Sequence, residues 1–207
     1  PLLKHEGVIC TSCMIQLPRT KSHLAIDTEL DQLFWGRVEI EKSLAMFYYE
    51  KQGKVQQLIH NLKYRGRTQI GVGIGEIYGN TLLPVLMKDE FDFILPVPLS
   101  QRKEKHRGYN QADFFAEGLS KSLGIPVRKT VLNRASRSES QTSKSRFARW
   151  ENVHREFNLL EPSTCANKRI IIVDDVITTG ATIEACARPL LELGCKLSVI
   201  AIAFTKR

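Results

Sequence analysis

Ile170-Ile171-Ile172-Val173-Asp174-Asp175-Val176-Ile177-Thr178-Thr179-Gly180-Ala181-Thr182 is the stretch on which the fold of this chain turns. Its first residues are branched and apolar without alternation, the pattern of a parallel strand buried on both faces. The strand runs into two adjacent carboxylates and then into a hydroxyl-rich, glycine-containing loop that opens a helix. In open α/β sheets the ligand crevice lies at the carboxyl ends of the strands. Backbone N–H groups of Thr178 to Thr182, backed by the helix N-terminus, suit a phosphate, and Gly180 is expected to let the main chain approach it. Two carboxylates beside an anion would repel it unless they accept hydrogen bonds from sugar hydroxyls or help hold a hydrated magnesium ion. A phosphate with a ribose beside it satisfies both halves. A helix-capping role accounts for one Asp, and turn chemistry for the threonines, but neither accounts for strand, loop and helix together.

Outward from this stretch, the pattern alternates strand and helix, which implies a mainly parallel sheet with right-handed crossovers. Thr182 to Leu193 reads as a helix closed by Gly194, and Leu197 to Phe204 as a last strand. Phe91 to Val97 reads as a short buried strand, and Gln111 to Leu123 as a helix closed by Gly124. Val55, Leu58, Ile59 and Leu62 recur at helical spacing, predicting a helix over Lys54 to Tyr64 that stops at Gly66. Ile70 to Met87 reads as a helix whose glycines 71, 73, 75 and 79 allow close helix packing. Val38 to Glu50 reads as a strand or hairpin arm, and residues 1–36 as a small irregular appendage. The division expected is therefore an appendage over 1–36 and a ligand-binding domain over 37–207, with a hood at about 37–66 and a flexible loop at about 134–152.

With 207 residues, 43% hydrophobic and 25% charged, the chain suits one α/β domain with a small addition, and global disorder or a coiled coil is excluded. No run approaches the roughly 20 apolar residues of a membrane span, so a cytoplasmic protein without membrane insertion is expected. The formal charge of +8 is concentrated. Arg128 to Arg155 holds eight Lys/Arg against two Glu, and Gln101 to Asn110 four against one, while the remainder is near neutral. Cationic loops on a neutral body point to a locally bound anion, either a polyphosphate or a nucleic-acid backbone.

The thirteen-residue stretch resembles the phosphoribosyl pyrophosphate (PRPP) signature of type I phosphoribosyltransferases. Three further places extend the resemblance to the ComF/GntX family, from about residue 40 to the end of the chain. They are Leu62-Lys63-Tyr64-Arg65-Gly66; Ile94 to Ser100 followed by Arg107-Gly108-Tyr109-Asn110-Gln111-Ala112; and Gln141-Thr142, Arg149, Asn152-Val153 and Phe157. The resemblance implies the type I phosphoribosyltransferase fold, an open, mainly parallel sheet flanked by helices. It also implies a pyrophosphate-binding turn at Pro98, Leu99 and Ser100, a 5-phosphate loop at Thr178, Thr179, Gly180, Ala181 and Thr182, and ribose hydroxyls held by Asp174 and Asp175. The implied reaction displaces pyrophosphate from C1 of Mg-PRPP by a nitrogen nucleophile with inversion, and Lys63, Arg107, Lys144 and Arg149 are the candidates that meet the leaving group. Nothing in the chain resembles a glutamine-hydrolysing N-terminal nucleophile domain, so no glutaminase activity is expected. Members of this family are associated with DNA uptake in competent bacteria, which leaves two alternatives: a competence-associated protein binding single-stranded DNA, or a non-catalytic PRPP- or nucleotide-binding regulator.

Cys10 and Cys13 form a C-x-x-C pair, half of a four-ligand zinc site. The family resemblance implies a zinc-ribbon-like module with two such pairs, of which this chain carries one; His5 and His23 have unpersuasive spacing for completing it. Cys165, Cys186 and Cys195 are expected to be reduced, since five cysteines so scattered do not form a secreted disulfide framework.

Overall fold

The computed structural model describes residues 8–86, 90–135 and 156–206. The chain opens with α1 (Thr11–Gln16) and α2 (Glu29–Gln32), followed by β1 (Lys42–Tyr48), α3 (Lys54–Tyr64), α4 (Gln69–Leu82) and β2 (Phe93–Pro96). Next come α5 (Gln101–Arg107), α6 (Gln111–Leu123), β3 (Leu132–Arg134), β4 (Phe157–Leu159) and α7 (Pro162–Cys165). The signature strand β5 (Arg169–Ile177), α8 (Ala181–Leu191) and β6 (Lys196–Phe204) complete it. Strands β1, β6, β5 and β2 lie side by side in that order, every neighbouring pair parallel.

A parallel sheet must be covered on both faces, and this one is. On one side Ile59 and Leu62 of α3, Ile74 of α4 and Phe115 and Leu119 of α6 pack with Ile171, Val173, Ile200 and Ile202. On the other, Leu30, Leu33 and Phe34 join Ile183, Cys186 and Leu190 of α8 over Ile170, Ile172, Leu197 and Val199. Helices α4 and α6 pack closely through glycines, as expected: a Cβ on Gly75 would stand 2.8 Å from both Gly118 Cα and Leu119 N. Helix α6 starts on the side chain of Asn110, which accepts from Ala112 N, and ends at Gly124 with φ +71°, the left-handed turn that favours glycine.

The structure adds detail to three expectations. Of the strand or hairpin arm expected over Val38 to Glu50, a strand forms: β1 is hydrogen-bonded into the main sheet beside β6. The end of the N-terminal segment packs into the core: Leu30, Leu33 and Phe34 are at most 6% exposed, beside a capping box in which Asp31 N donates to Thr28 Oγ1 (3.2 Å) and Thr28 N to Asp31 Oδ2 (2.8 Å). The cationic stretch 101–110 is mostly helix α5, ended by Gly108 at φ +77°.

Both margins of the sheet are bordered. Outside β1, Arg19 bridges Phe47 antiparallel, with Thr20 N donating to Met46 O (3.2 Å) and Tyr48 N to Pro18 O (2.8 Å). Outside β2, Val127 bridges Ile94, with Ile94 N donating to Pro126 O (2.8 Å) and Arg128 N to Ile94 O (2.9 Å). Among the described residues no helix is long and apolar enough to cross a membrane. Cys165, Cys186 and Cys195 are reduced and buried.

Candidate functional site

Strand β5 does not stop at the carboxylates but runs through them to Ile177. Successive side chains of a strand leave on opposite faces, so the twin acids part company. Asp175 shares its face with Ile171 and Val173 and is 4% exposed. Its Oδ2 lies 2.9 Å from Lys63 Nζ near the end of α3. That oxygen has no hydrogen-bond partner among the described residues, so the nearby ammonium is what compensates its charge. Asp174 is half-buried on the face of Ile172 and Cys186. Its Oδ1 accepts from Asp175 N (2.8 Å).

Burial, and then the neighbouring Asp175 carboxylate, push Asp174 up to about 7, while the Asp175 N–H, Lys63 and Arg134 act against the rise. The sign for stability follows. A carboxyl whose folded value lies above its ordinary 3.8 takes up protons preferentially in the folded state, so its contribution falls as pH rises from 3.8 to about 7. Asp174→Asn removes that fall, and the variant is expected to gain thermal stability relative to the parent between pH 5 and pH 8. A melting-temperature difference that stays constant across this range would refute the shift.

Beyond Ile177 the loop exposes Thr178, Thr179 and Ala181, with Thr182 partly open. Thr179 Oγ1 accepts from Ala181 N (3.4 Å). Gly180 carries a packing constraint in addition to the phosphate approach expected of it. It sits at φ +74°, and a Cβ there would come within 2.9 Å of Phe34 Cε1 and 3.0 Å of Leu33 Cδ2. The requirement is set by the left-handed backbone and by the N-terminal segment behind the loop. That segment also contributes Arg37, whose Nη1 donates to Thr179 O (2.7 Å) and whose Nε donates to Glu184 Oε2 (2.9 Å).

Pro96 pairs with Val173, so the turn Pro98-Leu99-Ser100, partly exposed, leaves β2 one strand over from the acids. Two of the quoted motifs are stapled together at its flank. Tyr109 Oη donates to Leu62 O, Arg107 Nη2 to Tyr64 Oη (3.1 Å) and Arg107 Nη1 to Gln111 Oε1 (2.9 Å), and the guanidinium stands 5.0 Å above the Tyr64 ring. Asn110 Nδ2 reaches back to Val97 O (3.0 Å). Lys63, Arg107, the 98–100 turn, Asp174, Asp175 and the 178–182 loop are thus linked at the carboxyl ends of β5 and β2.

Lys144 and Arg149 lie outside the described residues. The ends of their segment are joined: β3 pairs antiparallel with β4, and Ala135 N donates to Glu156 O (3.0 Å). Sequence reasoning missed Arg134, whose charge acts on Asp174 and whose guanidinium pairs with Glu156 and lies 5.3 Å over Phe157. It missed Arg37 as well, which no local pattern marks, because its partner Glu184 is 147 positions away.

Cys10 and Cys13 share one turn at α1, where Cys10 Sγ accepts from Cys13 N (3.4 Å). Among the described residues no group of three or more His, Cys, Asp or Glu could hold a metal ion, and His5 lies outside them.

The family described as phosphoribosyl transferase domain matches residues 111–207, which include the signature strand and its loop. Competence protein ComFC of Bacillus subtilis is 28% identical over 212 residues, covering 96% of this chain and 84% of that protein. The DNA utilization protein YhgH of Shigella flexneri is 31% identical over 196 residues, covering 91% of this chain and 80% of that protein. Competence protein F of Haemophilus influenzae is 36% identical over 102 residues, a match that spans 49% of this chain and less than half, 44%, of that protein. With the parallel sheet and helices on both of its faces, these matches give the chain the type I phosphoribosyltransferase fold, and it belongs to the ComF family of phosphoribosyltransferase-like proteins.

Proposed function

We propose that this chain binds Mg-PRPP and transfers its phosphoribosyl group to a nitrogen nucleophile. The C1–oxygen bond to pyrophosphate breaks with its electron pair leaving on pyrophosphate, the nitrogen lone pair forms the C1–N bond on the opposite face, and the nitrogen gives up a proton. The observation that carries the reading is the convergence, at the ends of adjacent parallel strands, of an acid pair, an exposed threonine-glycine loop and the Lys63 ammonium.

In this reading the N–H groups of 178–182 hold the 5-phosphate and Asp174, the more exposed of the two acids, holds the ribose hydroxyls, while Asp175 on the opposite face anchors Lys63. The 98–100 turn holds pyrophosphate, and Lys63 and Arg107, together with Lys144 and Arg149, neutralise the leaving group. Magnesium enters with the substrate and supplies charge neutralisation on the diphosphate. The protein's share is positioning and electrostatics rather than covalent chemistry.

The test is calorimetric titration with Mg-PRPP, followed by a pyrophosphate-release assay over purines, pyrimidines and amines. Saturable binding is expected, and the Asp174→Asn/Asp175→Asn double variant should weaken it by about 100-fold or more, since it removes a charged hydrogen bond to the ribose and the anchor of Lys63. Parent protein that does not bind Mg-PRPP overturns the proposal, and binding without release for any acceptor replaces the enzyme with a regulator.

The names of the relatives, competence and DNA utilization proteins, favour a second reading, and one observation supports it here. Helix α5 exposes Arg102, Lys103 and Lys105 and is stapled through Arg107 to Tyr64, beside exposed Arg65 and Arg67. Such a cationic surface with an open aromatic ring suits single-stranded DNA. Oligonucleotide binding that weakens with salt and survives the double Asp variant would favour it.

A further inference from the structure

We propose that Arg37 is a positioning residue for the anion-binding loop, setting the orientation of the Thr179–Gly180 peptide; this rests on the 5-phosphate reading above. The guanidinium bridges three elements. Its Nη1 donates to Leu33 O (3.1 Å) and Thr179 O (2.7 Å), and its Nε and Nη2 both donate to Glu184 Oε2 in the first turn of α8.

Thr179 O lies one residue ahead of the first helical acceptor, since Glu184 N bonds to Gly180 O, so the helix itself does nothing to hold it. Every peptide in the described chain is trans, and a trans peptide points its carbonyl and its N–H in opposite directions. Drawing Thr179 O toward Arg37 therefore turns the Gly180 N–H the other way, to the open side of the loop, and keeps a carbonyl dipole out of the place where an anion would sit. Gly180 fixes the same geometry from below: its left-handed backbone presses the Cβ side against Leu33 and Phe34, leaving no room for the peptide to rotate toward that wall. Glu184 takes up the guanidinium charge, and its carboxyl pKa is lowered from the usual value first by Arg188 and then by Arg37. Arg37 thus acts through the backbone, and its own charge is spent within the fold. The N-terminal segment 28–38 becomes the wall behind the loop, joined to it by one side chain.

The experiment compares affinities for two halves of the substrate, ribose 5-phosphate and pyrophosphate, in the full chain and in three variants. Arg37→Met is expected to lose about tenfold in affinity for ribose 5-phosphate while pyrophosphate binding changes by less than about twofold. Arg37→Lys, which still reaches the carbonyl, should recover most of the loss. Glu184→Gln, which keeps an acceptor for the guanidinium, should stay within about threefold of the parent and remains informative if Arg37→Met fails to fold. Parallel loss of both ligands in folded Arg37→Met, undiminished ribose 5-phosphate binding in that variant, or a loss in Glu184→Gln as large as the one expected for Arg37→Met overturns the positioning role. A parent chain that binds neither ligand overturns the 5-phosphate reading instead, and the role built on it goes with it.

Discussion

Exchanging Lys63 for methionine is expected to lower the stability of the folded protein by about 3 kcal/mol or more, the cost of leaving a buried carboxylate without its partner. The size follows from where Asp175 sits. Its side chain is 5% exposed, its Oδ2 has no hydrogen-bond partner among the described residues, and the Lys63 side chain, whose ammonium lies 2.9 Å away, is 21% exposed, so water does little to replace it. Methionine keeps the aliphatic stem of lysine and removes only the charge. The double variant Lys63→Met/Asp175→Asn should then recover most of the loss, since a neutral amide no longer needs a cation. Urea unfolding of the three proteins checks this. A single-variant loss below about 1 kcal/mol, or a double variant no better than the single, would mean that something other than Lys63 carries the charge of Asp175.

Gly118→Ala is the second substitution with a large expected effect, at about 3 kcal/mol of destabilisation, toward the upper end for overpacking. An added Cβ would overlap Val72 O and lie 2.8 Å from Gly75 Cα and 2.9 Å from Glu76 N. All three are backbone atoms of a regular helix, which cannot step aside as a side-chain tip can, so α6 must be displaced from α4. The displacement carries Asn110 with it, at the start of α6, and strains its bond to Val97 O beside the 98–100 turn. Gly66→Ala is the control: Gly66 has φ +65° with nothing within 4 Å of the added atom, and should cost about 1 kcal/mol for the left-handed backbone alone. If the two variants melt together, close packing of the helices is not what holds α6 in place.

The contrast between these glycines also indicates which parts of the molecule could be read from its residues. Gly124 was legible as a helix stop, and the run in α4 as a close-packing surface, though not its partner α6 further along the chain. Gly180 was assigned to a phosphate, and its second constraint, the packing against Phe34 and Leu33 far away in sequence, was not legible. Helices α3 and α6 matched their apolar spacing because each buries one stripe against the sheet. Helix α5 did not, because Gln-Arg-Lys-Glu-Lys-His-Arg buries nothing and leaves no period to find. The core role of the N-terminal segment had a readable signal in Leu30, Leu33 and Phe34 at i, i+3 and i+4 after the Thr28–Asp31 capping box, masked by the irregular sequence before it. At the site, chemistry was legible and direction was not. Adjacent acids on a strand that continues past them must face opposite ways, so one of the pair is committed to Lys63 and the other to the side of Arg134.

The short bridges at Arg19 and Val127 have a consequence for how this protein meets other copies of itself. Each places an irregular run of chain where a further strand would otherwise zip on, so the free N–H and C=O groups of β1 and β2 offer no template for endless pairing. A long, nearly all-apolar strand such as β6 is thereby kept two ranks from solvent on one side, and stays unavailable to fibril-like stacking for as long as residues 18–20 remain seated. Clipping the chain just after Thr20 would strip that guard from β1 and turn a self-limited sheet into one that can recruit neighbours.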